Sequence, residues 1–364
     1  MKITRTGRIS AIVATAAVAA LALSSCASNE SAPEAAVSSL TGTLVGAGSS
    51  AQGSAQESWI AAFQTANSSV TVSYDPTGSG AGRKTFIAGG SAFAGSDSYL
   101  STDELAAPFA ACTPGTLPFE VPDYISPIAV IFNVAGVTEL NLDSSTLAKI
   151  YSGAITMWND PAIVALNPKA TMPATAITAV HRSDDSGTSK NFSDYLFQTA
   201  KADWAIDKPA DTFPFTTGEA AKGTSGVVDA VTNGVGTIGY ADASKAGKLG
   251  VAKIKVGDTF VGYTAEAAAA VVAGSKAVAG RDATDMAISI NRTTTDPTHY
   301  PLVLVSYLIG CNSYVDATSA PLVKAYFDSI LSDAGQTDAG MNAGAAPLSA
   351  AVSAQALAIV NAIK

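Results

Sequence analysis

An α/β fold with mainly parallel sheets is predicted by this sequence, on three observations. Short apolar runs with strand character alternate with segments of helical periodicity from residue 43 to the end. Glycine-rich turns recur where such a strand passes into a helix. Hydrophobic residues make up 48% of the 364-residue chain and charged residues 14%, the balance of an ordered protein long enough for two domains with their own cores.

The first strand is TLVGAG (43–48), which opens into glycine. A helix over about 54–66 follows, with Trp59, Ile60 and Phe63 at helical spacing. VTVSY (70–74) alternates as a strand, and the turn DPTGSGAG (75–82) leads into a helix ending near Gly89. FAGSD (93–97) is a third strand-to-loop junction, and Ser101 with Glu104 has the spacing of a capping box. ISPIAVIFNV (125–134) is a long apolar strand, and residues 143–153 form a helix closed by Gly153. AITAV (176–180) feeds HRSDDSGTSKNF (181–192), and a helix carrying Phe192, Tyr195 and Leu196 comes next. A helix over 225–232, a strand at 237–240, an alanine-rich helix over 265–274 and the apolar strand 300–311 follow, with helices over 321–331 and 348–363 at the end.

Charge and cysteine content narrow the classes of function. The formal charge is −9 and no Lys/Arg-rich stripe occurs, which excludes a nucleic-acid footprint. Any bound anion must be held by local donors against a repulsive overall field. Lys2, Arg5 and Arg8 precede an apolar run, Ala11 to Leu23, that is shorter than the roughly 20 residues a membrane-spanning helix needs. Residues 1–25 therefore read as a signal peptide, and the small residues before Cys26 read as a lipobox whose cysteine is diacylated. Residues 26–42 then form the lipidated cysteine and a flexible tether. Cys112 and Cys311 remain, either as a disulfide or as two separate buried thiols.

Three strand ends share one composition: GAGSS (46–50), TGSGAG (77–82) and DDSGTS (184–189). Each places glycines and hydroxyl residues where a helix begins, so that free N–H groups and the helix dipole favour an anion. Ser and Thr are also the commonest helix caps, which is the ordinary reading of each end taken alone. Enzyme templates match poorly. No G-x-S-x-G elbow, P-loop, S-x-x-K or H-E-x-x-H occurs. His181 beside Arg182 reads as a surface or supporting residue, His299 has no evident partner, and no metal or cofactor is expected.

Seven segments in order resemble the phosphate-binding lipoproteins of the bacterial phosphate-specific ABC transporter: LVGAGSS (44–50), YDPTGSGAG (74–82), AGSD (94–97), MWNDPAIVALNP (157–168), VHRSDDSGTS (180–189), GTIGYADA (236–243) and YPLVL (300–304). The resemblance implies a two-lobed periplasmic-binding-protein fold in which the chain crosses between lobes twice, near 124–127 and 297–301. Lobe one would hold 43–125 plus 300–364 and lobe two 126–299, putting Cys112 and Cys311 in one lobe and favouring their disulfide. Carried over by motif, the phosphate ligands are Ser50, the Ala51 N–H, Ser79, Asp97, Arg182, Ser186, Gly187 and Thr188, with Asp184 orienting Arg182. Where the family commonly has Thr-Phe, this chain has Ser50-Ala51.

The implied function is capture of inorganic phosphate at the extracytoplasmic face of the cell membrane. A lipid anchor would hold the protein there, and the phosphate would pass to the permease and ATPase subunits of an ABC importer. Asp97 fits that ligand, because a carboxylate in an anion site accepts a bond from protonated phosphate and penalises sulfate, which has no proton. A receptor of the same fold for sulfate or molybdate is one alternative. A secreted phosphatase is another, weakened by the missing base, metal set and nucleophile.

Overall fold

The computed structural model describes residues 39–364. The expected signal peptide, Cys26 and the tether up to residue 38 lie outside the described residues.

In chain order, β1 (Gly42–Gly48), α1 (Gly53–Ala66), β2 (Val70–Asp75), α2 (Ser79–Ile87), β3 (Phe93–Ser96), α3 (Thr102–Leu105) and β4 (Pro118–Asn133) come first. Then follow β5 (Asn141–Leu142), α4 (Ser144–Ser152), α5 (Pro161–Leu166), β6 (Thr178–Arg182), α6 (Gly187–Thr199), β7 (Glu219–Ala221), α7 (Gly223–Asn233) and β8 (Thr237–Asp242). The last are β9 (Gly250–Val251), β10 (Lys253–Val256), β11 (Thr259–Val261), α8 (Ala265–Ala273), β12 (Lys276–Ala277), β13 (Ile288–Ser289), β14 (Val303–Cys311), α9 (Ser319–Leu331), α10 (Asp333–Ala343) and α11 (Ala350–Asn361). Local chemistry sets several boundaries. Ser101 and Glu104 form the reciprocal capping box that starts α3. Asp143 caps α4 and Ser186 caps α6, each accepting a backbone N–H from the first turn.

The main sheet runs β2-β1-β3-β14-β4-β8-β6-β7, with β9 also against β4. β1 is parallel to β2 and β3, and β6 is parallel to β7 and β8. β14 is antiparallel to β3 and β4, and β4 is antiparallel to β8 and β9. The sheet is therefore mixed, which corrects the expectation of mainly parallel strands. The cause is the pair of long strands β4 and β14: the chain leaves along one and returns along the other, so they must oppose. β4 also changes partner along its length. Pro118–Pro127 faces β14, whereas Ile128–Asn133 faces β8.

Two aromatic clusters fill the core on either side of that change. Phe93, Phe119, Tyr326 and Phe327 pack edge-on or tilted on one side, with Phe93 and Phe327 centroids 5.4 Å apart. Tyr151, Phe192, Trp204 and Tyr240 do so on the other, with Phe192 stacked on Tyr240 at 4.3 Å. Each such buried ring contributes about 1.5–3 kcal/mol through area removed from water. A disulfide joins Cys112 to Cys311, tying the segment before β4 to the end of β14. No helix among the described residues is long and apolar enough to cross a membrane.

Candidate anion site

The three glycine-rich junctions follow β1, β2 and β6 and meet beside the end of β3, where Asp97 lies among them. It follows β3 and is 2% exposed. Ser49, at the end of β1, donates its hydroxyl to Asp97 Oδ2 at 2.6 Å, and Ser306 of β14 donates to Oδ1 at 2.9 Å. Thr188, in the first turn of α6, reaches Oδ2 at 3.4 Å from the opposite side. Ser79, the first residue of α2, accepts the Asp97 N–H at 3.1 Å. Burial pushes the Asp97 carboxyl up to about 6, against the hydroxyls of Ser49 and Ser306 and the charge of Arg182, which all favour ionisation.

Gly187 shows how closely the two sides approach. A Cβ at that position would stand 2.6 Å from Ser79 Oγ and 2.7 Å from Asp97 Cβ, so only glycine fits there. Asn191, one turn further along α6, donates to the Asp97 carbonyl at 2.6 Å. Gly80 donates its N–H to the carbonyl of Asp185 at 3.0 Å, and Lys84 pairs with the Asp185 carboxylate. Asp185 thus bridges the sides by its backbone, a role the sequence did not signal.

Arg182 closes β6 with its side chain buried. Its Nε donates to Asp184 Oδ1 at 2.8 Å and its Nη2 pairs with Asp184 Oδ2, which leaves the Nη1 edge of the guanidinium for a ligand. Burial works to raise the Asp184 pKa, but the Arg182 bonds and charge, with the Gly223 N–H, hold it below the ordinary carboxylate value. His181 is buried, stacked on Phe213 at 3.9 Å, and acts as packing beside the site.

The expected site residues fall into three groups. Ser79, Asp97, Gly187 and Thr188 are in mutual contact, with Arg182 close enough to act on Asp97 by its charge. Ser186 caps α6 by accepting the Ser189 N–H at 3.2 Å. Ser50 instead faces α7: its Oγ accepts the Thr224 N–H at 3.1 Å and shares a bond with Thr224 Oγ1, also at 3.1 Å. The Ala51 N–H is engaged by Ser49 Oγ at 3.0 Å. Reading from sequence missed Ser49, Thr224, Asn191 and Ser306. Of these, Ser49 and Asn191 lay inside quoted stretches, whereas Thr224 and Ser306 did not. A larger cavity of about 860 Å³, lined by α8, Met286 and the start of α11, is apolar and lacks this donor set.

The PBP superfamily domain matches residues 33–334 of the chain. Phosphate-binding protein PstS 3 of Mycobacterium leprae is 37% identical over 307 residues, which is 82% of this chain and 81% of that protein. Phosphate-binding protein PstS2 of Mycobacterium bovis is 36% identical over 325 residues, 88% of this chain and 87% of its own. A high-affinity periplasmic phosphate-binding protein solved with phosphate bound matches at a TM-score of 0.70 and 22% identity, covering 87% of this chain and 93% of that one. A phosphate-binding protein from Stenotrophomonas maltophilia matches at 0.65 and 22%, with the same coverage. These structural matches identify the two-lobed periplasmic-binding-protein fold. By sequence and fold together, the chain belongs to the PstS family of phosphate-binding proteins within the PBP superfamily.

Proposed function

We propose that this chain is an extracytoplasmic substrate-binding lipoprotein that captures inorganic phosphate and delivers it to the permease and ATPase subunits of an ABC importer. It is a carrier and not an enzyme. The observation that carries the reading is a buried acidic acceptor, Asp97, facing a set of donors that includes Arg182. Several hydroxyls here already accept a backbone N–H: Ser79 from Asp97, Ser186 from Ser189 and Ser50 from Thr224. Ser79 and Ser186 therefore have their own proton to give to a ligand oxygen, and Ser50 does when Thr224 Oγ1 is the donor in the bond they share. Gly187 and Thr188 present backbone N–H groups at the start of α6, where the dipole favours an anion. Arg182 supplies the countercharge.

Phosphate brings a proton for Asp97 to accept; sulfate brings none and meets an unpaired buried charge. Residues 43–125 with 300–364, and residues 126–299, would act as lobes that close on the anion about β4 and β14. Cys26 would carry the lipid that holds the protein at the outer face of the membrane. Replacing it by Ser should release the protein in soluble form, and continued membrane retention would remove the anchor from this reading.

Calorimetry with phosphate, sulfate and arsenate tests the specificity. Phosphate and the similarly protonated arsenate should bind well, and sulfate poorly. Asp97→Asn should narrow the gap between phosphate and sulfate, and an unchanged ratio would take Asp97 out of the site. Turnover of a generic phosphoester would revive a hydrolase.

A further inference from the structure

The hydroxyls that hold Asp97 are not free to turn. Ser49 Oγ accepts two backbone N–H groups, from Ala51 at 3.0 Å and Gln52 at 3.3 Å. With both acceptor positions filled, its proton is directed to Asp97. Ser306 Oγ accepts the side-chain amide of Gln52 at 2.6 Å, so its proton too is directed to Asp97.

Behind Gln52 lies a buried chain with one direction. Tyr326 Oη donates to Gln56 Oε1 at 2.8 Å, and Gln56 Nε2 donates to Gln52 Oε1 at 3.0 Å. Gln52 Nε2 donates also to the Tyr307 carbonyl at 3.2 Å. A carbonyl can only accept, so the nitrogen of Gln52 must face β14, and every bond from Tyr326 onward points toward Asp97. Gln52, Gln56 and Ser306 are all at most 1% exposed. A side chain at Gly95 would overlap the Gln52 amide, so glycine in β3 makes room for it.

We propose that Gln52 determines anion selectivity without touching the anion: by occupying acceptor positions on Ser49 and Ser306 it turns both hydroxyl protons onto Asp97 and keeps that carboxylate an acceptor. Gln52 is thus a positioning residue, and the inference rests on the reading that Asp97 contacts the anion. The other groups that face Asp97 are Arg182 at the end of β6, Asp242 at the end of β8, Asp123 and Tyr124 on β4, and Tyr74 on β2. Arg182 favours its charge and Asp242 opposes it; of the five, Tyr74 touches Gln52, its Oη donating to Gln52 Oε1 at 3.4 Å.

Sulfate affinity as a function of pH isolates the effect, because sulfate itself stays unprotonated and only the protein titrates. In the unaltered protein the affinity should fall about tenfold per pH unit above the Asp97 midpoint and level off below it. Gln52→Met keeps the shape of the side chain and releases the Ser306 hydroxyl. The break should then move up by about one pH unit, and sulfate should gain several-fold on phosphate near neutral pH. Ser306→Ala, with Gln52 intact, should move the break the same way and serves if Gln52→Met does not fold. A break that stays put while both anions weaken in parallel at every pH would show a purely structural role and overturn the proposal. Asp97→Asn should abolish the break. If instead the unaltered protein shows none and Asp97→Asn changes nothing, the Asp97 reading itself fails and takes the inference with it.

Discussion

The two sides of the proposed anion site are held in position by opposite means. On the β1 and β3 side, Asp97 is braced from behind, through Ser306, Gln52 and Gln56, by side chains buried in the core. On the β6 side, Arg182 is fixed by a neighbour two residues on, Asp184, whose carboxylate also accepts the Gly223 N–H at 2.9 Å. The first side answers to distant residues, the second to its own loop. In the proposed binding mode a braced acceptor would give selectivity, because its protonation state is defended, and a locally held cation would give strength, because its free edge would meet the ligand at little cost in ordering.

The sharpest break in that contrast is Arg182→Ala. It removes a charged donor and leaves Asp184 without its ion-pair partner at the proposed site. Phosphate affinity should fall more than tenfold, matching the roughly 1.5–3 kcal/mol of a charged hydrogen bond. Calorimetry giving an affinity within twofold of the unaltered protein would remove Arg182 from the binding set. Gly187→Ala tests the approach of the two sides. The added methyl would press on Ser79 and Asp97. Affinity should drop about five- to tenfold for phosphate and sulfate alike, with thermal stability retained, since the methyl opposes contact between the sides and not the packing within either. A change in the phosphate-to-sulfate ratio would mean that Asp97 had been displaced. A smaller effect is expected of Asp184→Ala, which keeps the guanidinium but loses its fixed edge: a few-fold weaker phosphate binding, measured the same way.

The same contrast decides what could be read from the sequence. The β6 side is local, so its whole chemistry appears in one stretch, HRSDDSGTS (181–189), and family spacing marks it. The braced side is assembled from four elements. Gln52 and Gln56 sit in or beside a helix that reads as ordinary, and Ser306 sits in an apolar strand where a lone hydroxyl carries no signal. GAGSS (46–50) offers two serines, and only the fold shows that Ser49 faces Asp97 while Ser50 faces Thr224. Helix α10 was missed because DAGQTDAGMNA (333–343) has no apolar stripe, and its burial comes from small residues packed on α1. The first half of β4, Pro118 to Tyr124, was missed because Pro118, Glu120, Pro122 and Asp123 interrupt any apolar pattern. Those polar residues are fully enclosed nonetheless.

Asp123 is the counterpart that shows what the brace achieves. It is buried like Asp97, but neither of its carboxyl oxygens has a hydrogen-bond partner among the described residues. Burial pushes its pKa well above the ordinary carboxylate range, the charge of Asp97 adds to this, and the backbone N–H groups of Asp123 and Tyr124, near it but outside hydrogen-bond geometry, oppose it only in part. Both carboxyls bind a proton more tightly folded than unfolded, so each contributes stability that is complete below about pH 4 and is lost as pH rises through its folded value. For Asp97 that loss ends near its folded value of about 6. For the undefended Asp123 it continues to higher pH. Asp123→Asn keeps the shape and removes the titration, so its stability relative to the unaltered protein should rise between pH 6.5 and pH 8, where Asp97→Asn should give a nearly flat difference. Urea unfolding of both variants at the two pH values measures this. Equal differences for Asp123→Asn at both would mean that Asp123 is already charged, or still fully neutral, across that window, and that two carboxyls in one core are distinguished by something other than the hydroxyls around Asp97.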